Sequence, residues 1–265
     1  MRLYGKNPVL ERIIVCPNSI RELYLQKGTD LSHLALAAKA AGIFFKSCDK
    51  TWFKDNCDAA NAQGVLAEVD EFEYTPFSII LNECQNGISI PVYLDGITDP
   101  QNLGAIIRNL ACLGGFSLVL SEHNSASVNE TVLRVANGGE NYVRISKVEN
   151  IATSLRKIKH EGIYIIGAVV EEGGDILKSE IVYPAAVVIG SEGKGIRPGV
   201  KKLLDAGLSL PMKGASLSYN AASATLLFCY EITRDREKNK FFLDYKKASK
   251  IYRGENNGQR RGHGQ

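Results

Sequence analysis

Apolar positions in this chain fall into two patterns. Short unbroken runs of Val, Ile, Leu and Ala, bounded by Gly, Asn or Pro, alternate with longer stretches in which apolar residues recur every three or four places. Unbroken runs suit strands covered on both faces, and the three-to-four spacing suits helices with one buried stripe. Up to about residue 72 the pattern predicts a small α/β unit: a helix near 7–13, a strand at 22–26 and a helix at 31–41 stopped by Gly42. A strand at 42–46, a helix opened near Trp52 and a strand at 64–69 complete it. Residues 70–76 are acidic and end in Pro76, which suits a connector. A second region begins with the run 88–94 and alternates strand and helix patterns as far as a helix at 221–231. Such alternation predicts the α/β class, a mainly parallel sheet covered by helices. The expected organisation is a small domain at 1–72, a linker at 73–87, a larger domain at 88–237 and a tail at 238–265.

With 45% hydrophobic residues the chain can bury a sizeable core. No apolar run reaches 18 residues, and Arg2 and Lys6 near the N-terminus are followed by no apolar segment. A cytoplasmic protein that neither spans a membrane nor is exported is therefore expected. The six cysteines show no CxxC pair and no metal-ligand spacing; Cys112 and Cys229, inside apolar runs, read as small core residues. The formal net charge of +3 hides an asymmetry, because ten Lys or Arg face four acidic residues from Arg234 onward. That Gly- and Asn-rich end carries too little apolar surface to fold by itself, and reads either as a solvated terminus or as an electrostatic RNA anchor.

Three glycine-containing blocks lie beside strand-like runs. In the first, the strand 90–94 leads to a turn, then Asp99 as N-cap and Pro100 at the first helical position. Leu103, Ile106, Leu110 and Leu113 make a core-facing stripe, and Gly114-Gly115 ends the helix. This leaves a polar pair: Asn102 in the first turn, and Arg108 on the same face as Gly104, where the missing side chain admits another backbone or a ribose. The second block, Gly190-Ser191-Glu192-Gly193-Lys194-Gly195, ends the apolar strand 185–189, and its glycines allow a tight turn that presents backbone groups to a ligand such as adenine. It lacks the GxxxxGK[ST] arrangement of a triphosphate loop. The third runs from the strand 207–212 through Leu210-Pro211-Met212-Lys213-Gly214 to Ser218-Tyr219-Asn220, just before the helix at 221, where Ser218 and Asn220 stand at cap positions. Singly, each block has an ordinary reading as a turn, a cap or a surface arginine. Together they gather polar groups at the carboxyl ends of strands, where open α/β sheets collect ligands.

In this order, Asn102-Leu103-Gly104-Ala105-Ile106-Ile107-Arg108, the Gly190 to Gly195 block, and Leu210-Pro211-Met212-x-Gly214 with Ser218-x-Asn220 resemble the three motifs of the SpoU (TrmH) family of RNA ribose 2'-O-methyltransferases, over about residues 88–235. The family commonly has Ser-Leu-Asn where this chain has Ser218-Tyr219-Asn220. Residues 1–72 resemble the family's L30e-like RNA-binding domain through Tyr4-Gly5-Lys6-Asn7-Pro8-Val9 and Gln63-Gly64-Val65-Leu66-Ala67. They are most similar to the branch that methylates guanosine in 23S rRNA, although the histidine usual before Gln-Gly is Ala62 here.

The resemblance implies a SPOUT α/β domain with a deep C-terminal trefoil knot, a homodimer, structured RNA as substrate, S-adenosylmethionine (SAM) as methyl donor, and no metal. It implies a cofactor site at Gly190, Leu210 and Tyr219, with Ile189, Met212 and, on a neighbouring strand, Gly167. The acceptor side falls to Arg108, with Asn102 and Asn220 positioning, Glu192 pairing with Arg108 or its neighbours, and Ser218 completing the hydrogen-bond network. A free guanidinium stays protonated at ordinary pH, so the chemistry favours Arg108 polarising the 2'-hydroxyl and holding phosphate over acting as a base. Two other readings compete: a tRNA 2'-O-methyltransferase, and a noncatalytic RNA-binding or ribosome-assembly protein.

Overall fold

A computed structural model describes residues 1–57, 62–214 and 218–239, so the expected tail lies outside the described residues from position 240 on. The chain forms two compact units, each assembled from three separate stretches. The first takes residues 1–74, 98–112 and 126–144; the second takes 75–97, 113–125 and 145 onward. The helix that carries Asn102 and Arg108 therefore groups with the N-terminal residues, which differs from the linear division into domains at 1–72 and 88–237.

The first unit holds a four-stranded sheet of β1 (Arg2–Tyr4), β2 (Ile20–Gln26), β3 (Lys46–Cys48) and β4 (Val65–Val69), in the order β1-β4-β2-β3. β4 is antiparallel to both β1 and β2, and β3 is parallel to β2. β3 starts later than the sequence pattern suggested. Gly42, at φ 72°, closes the helix Ser32–Ala40, and Ile43 N–H reaches back to the Ala38 carbonyl at 2.8 Å, so these residues are spent on the helix end. Asp49 caps the helix Lys50–Asn56 by accepting from Trp52 N, and the Trp52 ring stacks on Tyr24 with centroids 4.6 Å apart. The helices Lys6–Val15, Pro100–Leu113 and Glu130–Ala136 complete the unit. Asp99 Oδ1 accepts from Gln101 N at 2.9 Å, and Leu103, Ile106 and Leu110 are fully buried, as the helical spacing predicts. Cys112, expected in the core, is exposed instead. It stands four residues after exposed Arg108, on the face opposite the apolar stripe.

The second unit is built on a seven-stranded parallel sheet. Its strands are β5 (Ile90–Asp95), β6 (Phe116–Ser121), β7 (Ile145–Val148), β8 (Tyr164–Ala168), β9 (Gly174–Asp175), β10 (Ala185–Gly190) and β11 (Ala206–Ser209). Their order is β7-β6-β5-β10-β8-β11-β9, every neighbouring pair parallel. β5 and β6 are buried at every position, as strands covered on both faces are. β11 ends at Ser209 rather than running to 212, where Pro211 has no N–H to continue a ladder.

Residues 77–85, placed in a linker by sequence, form the helix Phe77–Gln85, with Ile80 and Cys84 buried in a core that includes Tyr93, Leu155 and Val188. Pro76 precedes it directly; a proline that suits a connector equally suits a helix start. Burial pushes the Cys84 thiol up to about 12 and raises that of Cys229 as well. The last helix, Ala221–Asn239, outruns its apolar pattern. Its continuation is anchored by Arg236, whose Nη1 donates to the Gly115 carbonyl at 2.9 Å while the guanidinium sits over the Phe116 ring. Among the described residues no helix is long and apolar enough to cross a membrane.

Candidate functional site

In the second unit the carboxyl ends of β5 and β10 lie side by side, with Asp95 and Gly190 as register partners. Gly190 has no room for a side chain, because a Cβ there would stand 2.2 Å from the carbonyl carbon of Gly195. The crowding arises because residues 191–195 double back as a tight hairpin. Ser191 and Gly195 exchange both backbone hydrogen bonds, at 3.2 and 2.9 Å, and Gly193 and Gly195 take φ values of 77° and 63° that favour glycine. The Ser191 and Gly195 backbone groups are thus used inside the turn.

Asp95 and Glu192 tie the hairpin to its surroundings. Asp95, fully buried, accepts from Arg197 N at 2.8 Å with one oxygen and from Arg197 Nε at 2.7 Å with the other, which also lies 2.6 Å from Nη2. Glu192 Oε1 accepts from Ala221 N at 3.1 Å, where the start of a helix favours negative charge. Sequence reasoning, which paired Glu192 with Arg108 or its neighbours, did not name this backbone N–H. Asn220 Oδ1 accepts from Ser223 N at 2.8 Å and caps the same helix, so its carbonyl oxygen serves the fold.

Beside the carboxyl ends of β8 and β11 lies a cleft of about 390 Å³, counting the part open to solvent. Ala168, Val169, Leu208 and Phe228 give it apolar walls, and Leu210, Met212, Ser218 and Tyr219 line it from the loop that follows β11. Four of the sequence-predicted residues are therefore brought together. Ile189 is 2% exposed within the sheet, and Gly167 sits one residue before the cleft. The absent Gly167 side chain makes room for Leu204, whose Cδ1 would be 2.3 Å from a Cβ, so its space is taken by packing.

Arg108 and Asn102 belong to the first unit, on the helix Pro100–Leu113. Arg108 is exposed and Asn102 half-buried. Gly104, on the face of Arg108, admits another backbone: a Cβ there would be 2.9 Å from the Val132 carbonyl oxygen and 2.6 Å from Val135 Cβ. Gly139 packs closely on the Arg108 backbone, since its Cβ would lie 3.0 Å from Arg108 Cα.

The family model for the SpoU rRNA methylase family matches residues 89–230, more than half of the chain. The chain belongs to that family. A second model, for the RNA 2'-O ribose methyltransferase substrate-binding domain, matches residues 2–75. Among curated SpoU relatives, the 23S rRNA (guanosine-2'-O-)-methyltransferase RlmB of Ralstonia nicotianae is 30% identical, covering 88% of this chain and 95% of its own. The solved SpoU methyltransferase AviRb of Streptomyces viridochromogenes, in complex with AdoMet, shares the fold with a TM-score of 0.74 at 20% identity, over 90% of this chain and 91% of its own. The TrmH/SpoU tRNA modifying enzyme of A. aeolicus, 26% identical with a TM-score of 0.54, covers 65% of this chain and 91% of its own.

Within this SpoU chain, sequence reasoning missed the Asp95–Arg197 pair. The one signal was a carboxylate closing an otherwise apolar strand; nothing in the spacing pointed to a partner 102 residues away.

Proposed function

We propose that this protein is a SAM-dependent ribose 2'-O-methyltransferase acting on rRNA. The observation that carries the reading is the apolar cleft at the carboxyl ends of β8 and β11, lined by Leu210, Met212, Ser218 and Tyr219 of the SpoU motif. Its apolar lining suits an adenine ring, and Ser218 and Tyr219 bring polar groups to the same cleft. SAM would supply an electrophilic methyl group on a sulfonium. Leu210, Met212 and Tyr219 would hold it, and the hairpin 191–195, pinned through Asp95–Arg197 and Glu192, lies beside Gly190 at the strand ends.

Methyl transfer is an in-line displacement, so the protein must orient the acceptor oxygen and ease loss of its proton. Arg108 is assigned to the acceptor, polarising the 2'-hydroxyl and binding an adjacent phosphate, with Asn102 in the same helix as its support. Asn220, which also fixes the start of the helix at 221, positions the acceptor side with Asn102, and Ser218 completes that hydrogen-bond network. Residues 1–72, read as an L30e-like domain, bind the RNA, and residues 88–237 carry the chemistry. The finer expectations of the family belong to the same proposal: guanosine in 23S rRNA as target, a C-terminal trefoil knot, a homodimer whose partner helps build the site, and a cytoplasmic location.

The tRNA reading is weaker because the A. aeolicus tRNA enzyme spans only 65% of this chain, whereas the rRNA enzyme of R. nicotianae spans 88%. A noncatalytic role is separated by calorimetry: SAM binding is expected, and its absence would favour an RNA-binding protein without chemistry. The substrate is identified by mapping 2'-O-methylation across total RNA from a deletion strain. Loss of one rRNA methyl group is expected, and loss of a tRNA methyl group would overturn the rRNA assignment.

A further inference from the structure

The first unit contains a buried ion pair that the proposed reaction leaves unused. Arg12, on the helix Lys6–Val15, donates from Nη2 to Glu140 Oε1 at 3.0 Å, the two side chains being 11% and 0% exposed. Glu140 lies in the short 3-10 turn Gly139–Asn141, entered through Asn137 and Gly138 at φ 54° and 91°. Two further contacts fasten this turn to the same helix. Tyr142 Oη donates to Glu11 Oε2 at 2.6 Å, and a Cβ on Gly138 would lie 2.6 Å from Glu11 Cβ. On its other side the turn meets Arg108: a Cβ on Gly139 would stand 3.0 Å from Arg108 Cα and 3.3 Å from Ala111 Cβ. An unbroken series of close contacts thus leads from helix Lys6–Val15 through residues 138–142 to the backbone of Arg108.

Stability alone does not explain a charge pair here, since apolar side chains of similar volume often replace such pairs without loss, whereas in some proteins a buried pair specifies one arrangement. We infer that Glu140, held by Arg12, is a positioning residue for Arg108: it fixes the turn whose Gly139 sets the height of the Arg108 backbone. The inference rests on the assignment of Arg108 to the acceptor side. Positioning of this kind acts on the rate of transfer rather than on cofactor affinity, because displacement of a reacting group by a fraction of its contact distance is enough to slow an in-line reaction.

The test uses the full-length protein, SAM labelled in its methyl group, and total rRNA from a strain lacking the gene. Glu140→Ala and Arg12→Met are each expected to lower kcat about ten-fold or more, with SAM affinity by calorimetry and KM for RNA within about two-fold of wild type. Glu140→Gln, which keeps the shape and the acceptor for Arg12, should recover most of the lost rate. Wild-type kcat in a folded Glu140→Ala protein, or a change confined to KM or to SAM affinity, would overturn the inference. Should the alanine variant not fold, Glu140→Asp carries the same test, one methylene short of Arg12. If wild type transfers no methyl group, the functional reading fails on its own. Amide exchange across residues 104–113 then decides the positioning role, faster exchange in Glu140→Ala supporting it and unchanged exchange refuting it.

Discussion

Among the described residues the buried carboxylates Asp95 and Glu140, one in each unit, lean on arginines and are satisfied to different degrees. Asp95 uses both oxygens, and the arginine opposite contributes a backbone N–H as well as its guanidinium, itself half-exposed. Glu140 leaves Oε2 without a hydrogen-bond partner, Arg12 leaves Nε without one, and both groups are buried. Burial pushes the Glu140 carboxyl up despite the pull of Arg12. The difference teaches that a buried charge pair can be either an anchor or a poised contact. The Asp95 pair secures a hairpin that no ligand need complete. The Glu140 pair holds a turn against Arg108 through Oε1 alone, which also lies 3.4 Å from Asn141 Nδ2.

The largest expected effect separates the two sides of the proposed reaction. Arg108→Ala should slow methyl transfer by about 10²–10³-fold, the loss seen when a transition-state donor is removed, while calorimetric SAM affinity stays within a few-fold. An active Arg108→Ala enzyme would remove the reason for treating Glu140 as anything but structural. Next comes Asp95→Ala, which leaves the Arg197 backbone N–H without its acceptor while water reaches the half-exposed guanidinium; it should lower stability by about 1–2 kcal/mol and weaken SAM binding. Urea unfolding measures the first quantity. If Glu140→Ala cost as much and weakened SAM equally, the contrast between the two pairs would collapse.

Glu192→Gln is milder. Replacing a full charge at the start of the helix Ala221–Asn239 by a neutral acceptor should cost about 0.5–1 kcal/mol, read as a lowered thermal midpoint that shrinks in high salt. The smallest effect is one of pH. Because its carboxyl is raised, Glu140 in the folded protein holds a proton at pH values where the unfolded chain has released it. Its contribution to stability is complete in acid, below the ordinary carboxylate range, and is lost as pH rises through the raised value. Unfolding free energies measured from about pH 4 to 7 should show this falling component in wild type and its disappearance in Glu140→Gln. An identical slope in both proteins would mean that Arg12 compensates the carboxylate fully.

Much of this architecture was legible from local pattern. The cap at Asp99, the stripe Leu103, Ile106 and Leu110, and the all-buried β5 follow from periodicity, and the cleft residues Leu210, Met212, Ser218 and Tyr219 from a single short motif. What escaped reading had either an ambiguous local signal or a distant partner. Pro76 suits a connector and a helix start alike, so Phe77–Gln85 was hidden. Cys112 sits among apolar neighbours but on the wrong side of its helix. Arg12 and Glu140 are 128 residues apart and Asp95 and Arg197 are 102 apart, and no spacing rule reaches across such intervals. Gln63, at φ 51°, needed backbone coordinates before its left-handed conformation could be seen.

The division of the chain into interleaved stretches has a practical and an evolutionary consequence. The polypeptide passes from one unit to the other near residues 74, 97, 112, 125 and 144, so no single cut separates them. A gene truncated after residue 74 would encode the four-stranded sheet without the helices Pro100–Leu113 and Glu130–Ala136 that group with it. An expression plasmid beginning at residue 75 would carry those helices into a product lacking the strands and helices they accompany. Neither module can be transplanted onto another protein by end-to-end fusion, and any recombination event that swaps one must exchange three segments together.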